Sequence, residues 1–170
     1  MVAKWRTARQ SWLARAQIMY DSGAPDEVSR CVAVFHDAIA SGRVDEAAEA
    51  FAFDAALEYW RNITTALGVR CEGGGAFRQT VMEILRRQEV REKVSSCRLA
   101  DFKCKVIGGV GSVVFKQETV DGESLTGVAT VAVEAGRWKV RTYPGVFPGT
   151  LLAEAKQSAA RARDGGPRKP

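Results

Sequence analysis

At residue 97 the spacing of apolar residues changes from about four to two, and few folds accommodate that switch. Ahead of it, Val28, Cys31, Val32, Phe35 and Ile39 recur at three- and four-residue steps, the mark of one buried helix face. Beyond it, Ala100, Phe102, Cys104 and Val106 alternate with Asp101, Lys103 and Lys105, the mark of a half-buried strand. Helices followed by a run of antiparallel strands make an α+β domain with the helices laid across one sheet face. At 170 residues the chain suits one such core.

The helical part divides at its glycines and prolines. Residues 3–20 read as an amphipathic helix, on which Trp5, Trp12 and Met19 recur every seven positions with Ala8 and Ala16 between them. That stripe is a candidate interface with the body of the protein, with a second subunit, or with an anionic membrane. Gly23-Ala24-Pro25-Asp26 breaks it, and Asp26 and Glu27 suit the positive end of a second helix running to about Ser41, where Gly42 permits a helix stop. A short helix is expected over 44–52, a first strand over 55–60, a further segment over 63–67, and an amphipathic helix over 75–88 that tapers into the charged run 86–93. The sheet is expected as four long strands: one from 97, then 110–120, 124–134 and 137–143. They are joined by Gly108-Gly109, Asp121-Gly122 and Ala135-Gly136. An alanine-rich helix over 150–164 and a disordered tail over 165–170 close the chain.

The net charge of +5 sits in the ends. Residues 1–20 carry Lys4, Arg6, Arg9 and Arg15 without an acid, and residues 156–170 carry five basic side chains against Asp164. Between them, residues 21–155 hold 16 basic and 19 acidic side chains. A nucleic-acid reader concentrates positive charge on one face of its fold, so nucleic acid is not the expected partner. Cys31, Cys71, Cys97 and Cys104 form no CxxC pair, and His36 is the only histidine, so free thiols and no metal or cofactor are expected. Gly108-Gly109-Val110-Gly111-Ser112 lacks the lysine and the following helix of a phosphate-binding loop. Arg9 and Arg15 interrupt any secretory apolar core, and no run approaches the length of a membrane span, which makes the cytoplasm the expected location.

The segment Phe35-His36-Asp37-Ala38-Ile39-Ala40-Ser41-Gly42-Arg43-Val44-Asp45-Glu46-Ala47, followed by Ala50-Phe51-Ala52 and Asp54-Ala55, resembles the opening of the NTF2-like superfamily, which includes SnoaL-like and ketosteroid isomerase-like proteins. Gly136-Arg137-Trp138-Lys139-Val140 is similar to the family's ending. Arg43 and Phe53 depart from the usual wording, which has acids there. The resemblance spans about residues 28–143. It implies a cone-like fold of N-terminal helices on a curved antiparallel sheet, a homodimer, and a pocket between helices and sheet that could take a small apolar ligand. In domain terms it implies an NTF2-like unit over 23–149, preceded by the amphipathic helix of 1–22 and followed by a C-terminal helix and basic tail over 150–170.

In the isomerase-like members a helix tyrosine and a strand acid carry the chemistry. Carried over, those slots fall at Phe35 and Tyr59, which supply neither a hydroxyl at the first nor a carboxylate at the second, so the isomerase set is absent. Phe35, Tyr59, Phe53, Phe115, Gln117 and Asp101 are the expected pocket-lining residues. Asp101 points outward unless a bulge turns it, and Gln117 reads equally as a cavity group or an exposed strand end. His36 is the candidate catalytic base, because its ordinary pKa lies near neutrality; the plainer alternative is a boundary histidine satisfied by a backbone carbonyl or water. Three functions follow. The first is a non-catalytic module binding a small molecule or protein, the second a cofactor-free lyase, cyclase or isomerase using His36, and the third an assembly element acting through its terminal helices. A cavity plugged by Phe35, Phe53, Tyr59 and Phe115 would favour the module.

Overall fold

The computed structural model describes residues 26–165. The helix expected over 3–20, with Trp5, Trp12 and Met19, lies outside the described residues, as does the tail from 166 onward. Among the described residues, five helices precede the sheet: α1 (Glu27–Ala40), α2 (Val44–Glu49), α3 (Phe53–Leu67), α4 (Gly74–Arg86) and α5 (Gln88–Ser95). The sheet is an antiparallel meander of β1 (Cys97–Ile107), β2 (Val110–Thr119), β3 (Ser124–Glu134) and β4 (Arg137–Thr142), in the order β1-β2-β3-β4. The last helix, α6, spans Gly149–Asp164 and has no buried residue of its own, although Leu151 and Leu152 pack against the core. The α+β architecture follows the change of period at residue 97.

Helix α1 begins where Asp26 caps it, its carboxylate accepting from the Ser29 amide at 2.6 Å. It stops at Ala40, with Gly42 at φ 70° in the left-handed region expected for it. Its buried face carries Val28, Val32, Phe35, His36 and Ile39. The segment expected as a strand over 55–60 is instead the first half of α3. Phe53, Ala56, Leu57, Trp60 and Thr64 form its buried face, at the three- and four-residue steps of a helix. No capping side chain serves α3 locally, and Glu134 substitutes from across the fold, its carboxylate accepting from the Ala55 amide at 2.7 Å. The charged run after residue 86 also folds, as α5, with Val90 and Val94 one turn apart facing the core.

Within the sheet, the β1–β2 register shifts between Ala100 and Lys103. Ala100 lies opposite Lys116 and Leu99 opposite Gln117, while Lys103 lies opposite Val114. The bulge therefore places Leu99 and Phe102 on the same inner face, whereas strict alternation expects Ala100 inside. Asp101 takes up the shift at φ 52°, a conformation that aspartate tolerates better than most residues. On the next pair, Phe115 faces Gly127, and its ring lies in the space a Cβ would need there, 2.4 Å from the Cβ position. The β4 edge is covered by Ala50–Ala52, through Ala52 N–H to the Val140 carbonyl (2.7 Å) and Val140 N–H to that of Ala50 (2.8 Å). On the opposite edge, β1 carries the bulge, Asp101, Lys103 and Lys105, features that discourage strand addition.

Candidate functional site

The helices meet the sheet through rings. Phe35 stacks on Phe51 at 5.9 Å and tilts against Tyr143 at 5.4 Å, and Tyr143 stacks on Phe115 at 6.0 Å. Phe51 and Phe77 each present an edge contact to Phe147, and Phe51 a further one to Phe53. Phe35, Phe51, Phe115, Tyr143 and Phe147 are all fully buried. The space where a ligand pocket was expected is thus occupied by side chains, with centroid separations typical of favourable aromatic pairs.

His36 sits at the border of this cluster and is itself buried. Its Nε2–H donates to the Cys97 carbonyl at 3.1 Å, since a carbonyl only accepts. Nδ1 is then the acceptor, taking the hydroxyl hydrogen of Tyr143 at 2.5 Å. Burial lowers the His36 pKa to about 4, outweighing the opposing effect of the Cys97 carbonyl, so the ring is neutral at pH 7. Burial likewise raises the Tyr143 phenol well above its ordinary value, so it stays protonated. Both nitrogens and the phenol proton are committed to one another and to the backbone.

Two surface clefts flank α1. One, of about 660 Å³, runs past its C-terminal half, with His36, Asp37, Ala40 and Ser41 on one wall and Cys97, Arg98, Glu118 and Val120 among the residues opposite. Arg98 and Glu118 pair across the strands at 2.6 Å. The other, of about 670 Å³, lies against its N-terminal half. Cys31, Val34, Ala50 and Trp138 form its apolar floor, and Glu27, Glu46 and Glu49 stand on the helix side opposite Arg137 and Lys139.

Of the expected pocket residues, Phe35, Phe53 and Phe115 share the ring cluster through Phe51 and Tyr143, while Tyr59, Gln117 and Asp101 make other contacts. Comparison with protein-family models, with curated proteins and with solved structures finds no match. Phe35, Phe53 and Phe115 are core rings. Tyr59 is half-buried on α3, not on a strand, with the Arg141 guanidinium 5.2 Å from its ring centre. Gln117 is half-buried beside Cys97, its Nε2 3.8 Å from the thiol sulfur. Asp101 is exposed and paired with Lys116 at 2.7 Å, and the lysine holds its carboxyl below the usual range. The bulge that could have turned Asp101 inward instead leaves it on the Lys116 side. All four cysteines are free thiols, and no group of three metal-ligating side chains gathers among the described residues. No described helix is long and apolar enough to cross a membrane.

Tyr143, the partner of His36, is not among the site residues expected from the sequence. Its role depends on a second register shift, between Thr130 and Val131 on β3, opposite Val140 to Thr142 on β4. That shift follows from no local motif.

Proposed function

We propose that this chain is a non-catalytic α+β module of NTF2-like type, which works by binding a protein partner, a second copy first among them, through its exterior. The single observation carrying this reading is the ring cluster from Phe35 to Tyr143, with His36 spent inside it. A general base must reach a substrate proton, and here each imidazole nitrogen already holds a partner. The likeness of Phe35–Ala47 and of Gly136–Val140 to the family supports the NTF2-like part. Helix α3 is a departure, since the family resemblance implies a strand there.

The outer sheet face supplies the surface. Val114 lies opposite Val128, with Val110 and Ile107 beyond them, and all four are exposed. Lys103, Lys105 and the Lys116–Asp101 pair surround them, and both signs of charge at the rim let two copies set lysine against acid across a two-fold axis. The test is light scattering on the wild type and on the Val114→Glu/Val128→Glu variant, with circular dichroism to confirm folding. A dimeric wild type and a monomeric variant are expected. A monomeric wild type at the highest soluble concentration, or turnover of a screened substrate that His36→Ala abolishes, would sink this reading.

A further inference from the structure

The outer face of the sheet is one-sided in charge. The register sets Lys105 opposite Ser112 and Ser112 opposite Thr130, and the row ends at Arg141, which bonds Thr130. The rows on either side add Lys103 and Lys139, and none of the three rows contains a carboxylate. The acids just beyond them are engaged, Asp101 by Lys116 and Glu134 by the Ala55 amide. Lys139 also borders the mixed-charge cleft beside α1, which leaves Lys105 and Arg141 as the cations of the central row.

Arg141 differs from the lysines in being held. At the β3–β4 register shift Thr130 pairs with Thr142 and Val131 with Val140, so Arg141 is the extra residue of a bulge, a device that re-aims a side chain. Its Nε–H donates to Thr130 Oγ1 at 3.1 Å, and its guanidinium lies over the Tyr59 ring of α3. Thr130 is fixed in turn, its hydroxyl meeting that of Thr142 at 2.7 Å and its amide donating to the same Thr142 oxygen at 3.2 Å. Arg141 is half-buried, yet no carboxylate among the described residues pairs with it. The ring and one hydroxyl engage the face and Nε of the guanidinium, so the donors of its two terminal nitrogens are left for something else. Drawing a charge partly out of water without a counter-charge is unfavourable, and an arriving oxyanion offsets that.

We propose that Arg141, with Lys105 and the Ser112 and Thr130 hydroxyls along the row, forms a seat for a phosphoryl group. A flat carboxylate is satisfied by the guanidinium fork alone, whereas a tetrahedral phosphate keeps oxygens free for further donors. The ladder supplies them. Ser112 stands one strand from Thr130 and Lys105 two, about 5 Å and about 10 Å away, and the lysine stem spans most of the second distance. The seat lies between the Val114–Val128 patch and α3, and does not depend on two copies meeting on this face.

Because Thr130 holds the Arg141 Nε–H, the proton–nitrogen resonance of that group reports occupancy directly. Titrating the full-length protein with inorganic phosphate, at ionic strength held constant with chloride, should move the Arg141 Nε–H and Thr130 amide resonances to saturation along one curve. Arg141→Lys keeps the charge and loses the fork, and should weaken the binding read at the Thr130 amide at least about fivefold. Should that variant fold poorly, Lys105→Gln, an exposed change, should weaken it at least about twofold. Glycerol phosphate and acetate are the comparison ligands. Tighter binding of inorganic phosphate marks a free ion as the ligand and tighter binding of glycerol phosphate a carried phosphoryl group, and both support the seat. Acetate acting as strongly as phosphate, a response that never saturates, or equal affinity in the wild type and the variants would overturn it.

Discussion

The two faces of the sheet are built to different ends. The inner face presents Leu99, Phe102, Val113, Phe115, Ala129 and Val140 to the helices, and most of these are buried. The outer face presents Lys103, Lys105, Ile107, Val110, Val114 and Val128, all exposed. Strand residues alternate between faces, so the same strands carry both surfaces, and the contrast is one of side chain, not of backbone. The inner face spends its aromatic side chains on packing, whereas the outer face leaves its apolar side chains uncovered by the described residues.

The sharpest way to break that contrast is to empty the inner face. Phe115→Ala removes a fully buried ring that touches Phe102 and Tyr143, and should cost about 3–5 kcal/mol in urea denaturation. A loss under about 1 kcal/mol would mean the ring cluster is not what holds helices to sheet.

A smaller effect comes from pH. His36 has a folded pKa of about 4 against an ordinary 6.5, so between those values the unfolded chain takes up a proton that the native state refuses. The stabilisation is complete above pH 6.5, declines as pH falls through the window, and is gone near pH 4. It amounts to about 3 kcal/mol at most. His36→Gln should flatten that part of a stability profile measured by denaturant titration; an unchanged slope would place the sensitivity in another group.

Tyr143→Phe probes the same joint more gently. It strips the donor from His36 Nδ1 while keeping the ring contacts, and should cost about 1–3 kcal/mol. Last comes the outer face. Lys103→Gln and Val114→Thr should each stay within about 0.5 kcal/mol in the monomer, as surface changes do. A loss beyond about 2 kcal/mol from either, growing with protein concentration, would show that this face is covered in solution.

Much of this arrangement was legible in the chain. The four strands, Asp121-Gly122 between β2 and β3, the extent of α1 and the C-terminal helix follow from periodicity and turn chemistry. Ala55–Trp60 did not, because a short apolar run with aromatic residues suits strand and helix alike, and the family resemblance pointed to a strand. Extending the window to Phe53 and Thr64 would have exposed the helical stripe. The bulges were not legible, since each depends on which partner strand lies opposite. For that reason the Tyr143–His36–Cys97 joint was hidden too. Its members come from α1, the start of β1 and the residue just past β4, and the register alone unites them.

Gly127 beneath the Phe115 ring has one more consequence. Its neighbours on β3 are Thr126 and Val128, both branched at Cβ. Were the β2–β3 hairpin to close one step out of place in either direction, a branched side chain would meet the ring where only a hydrogen fits. A single missing methyl thus works as an alignment mark that disfavours mis-threaded pairings of β2 with β3.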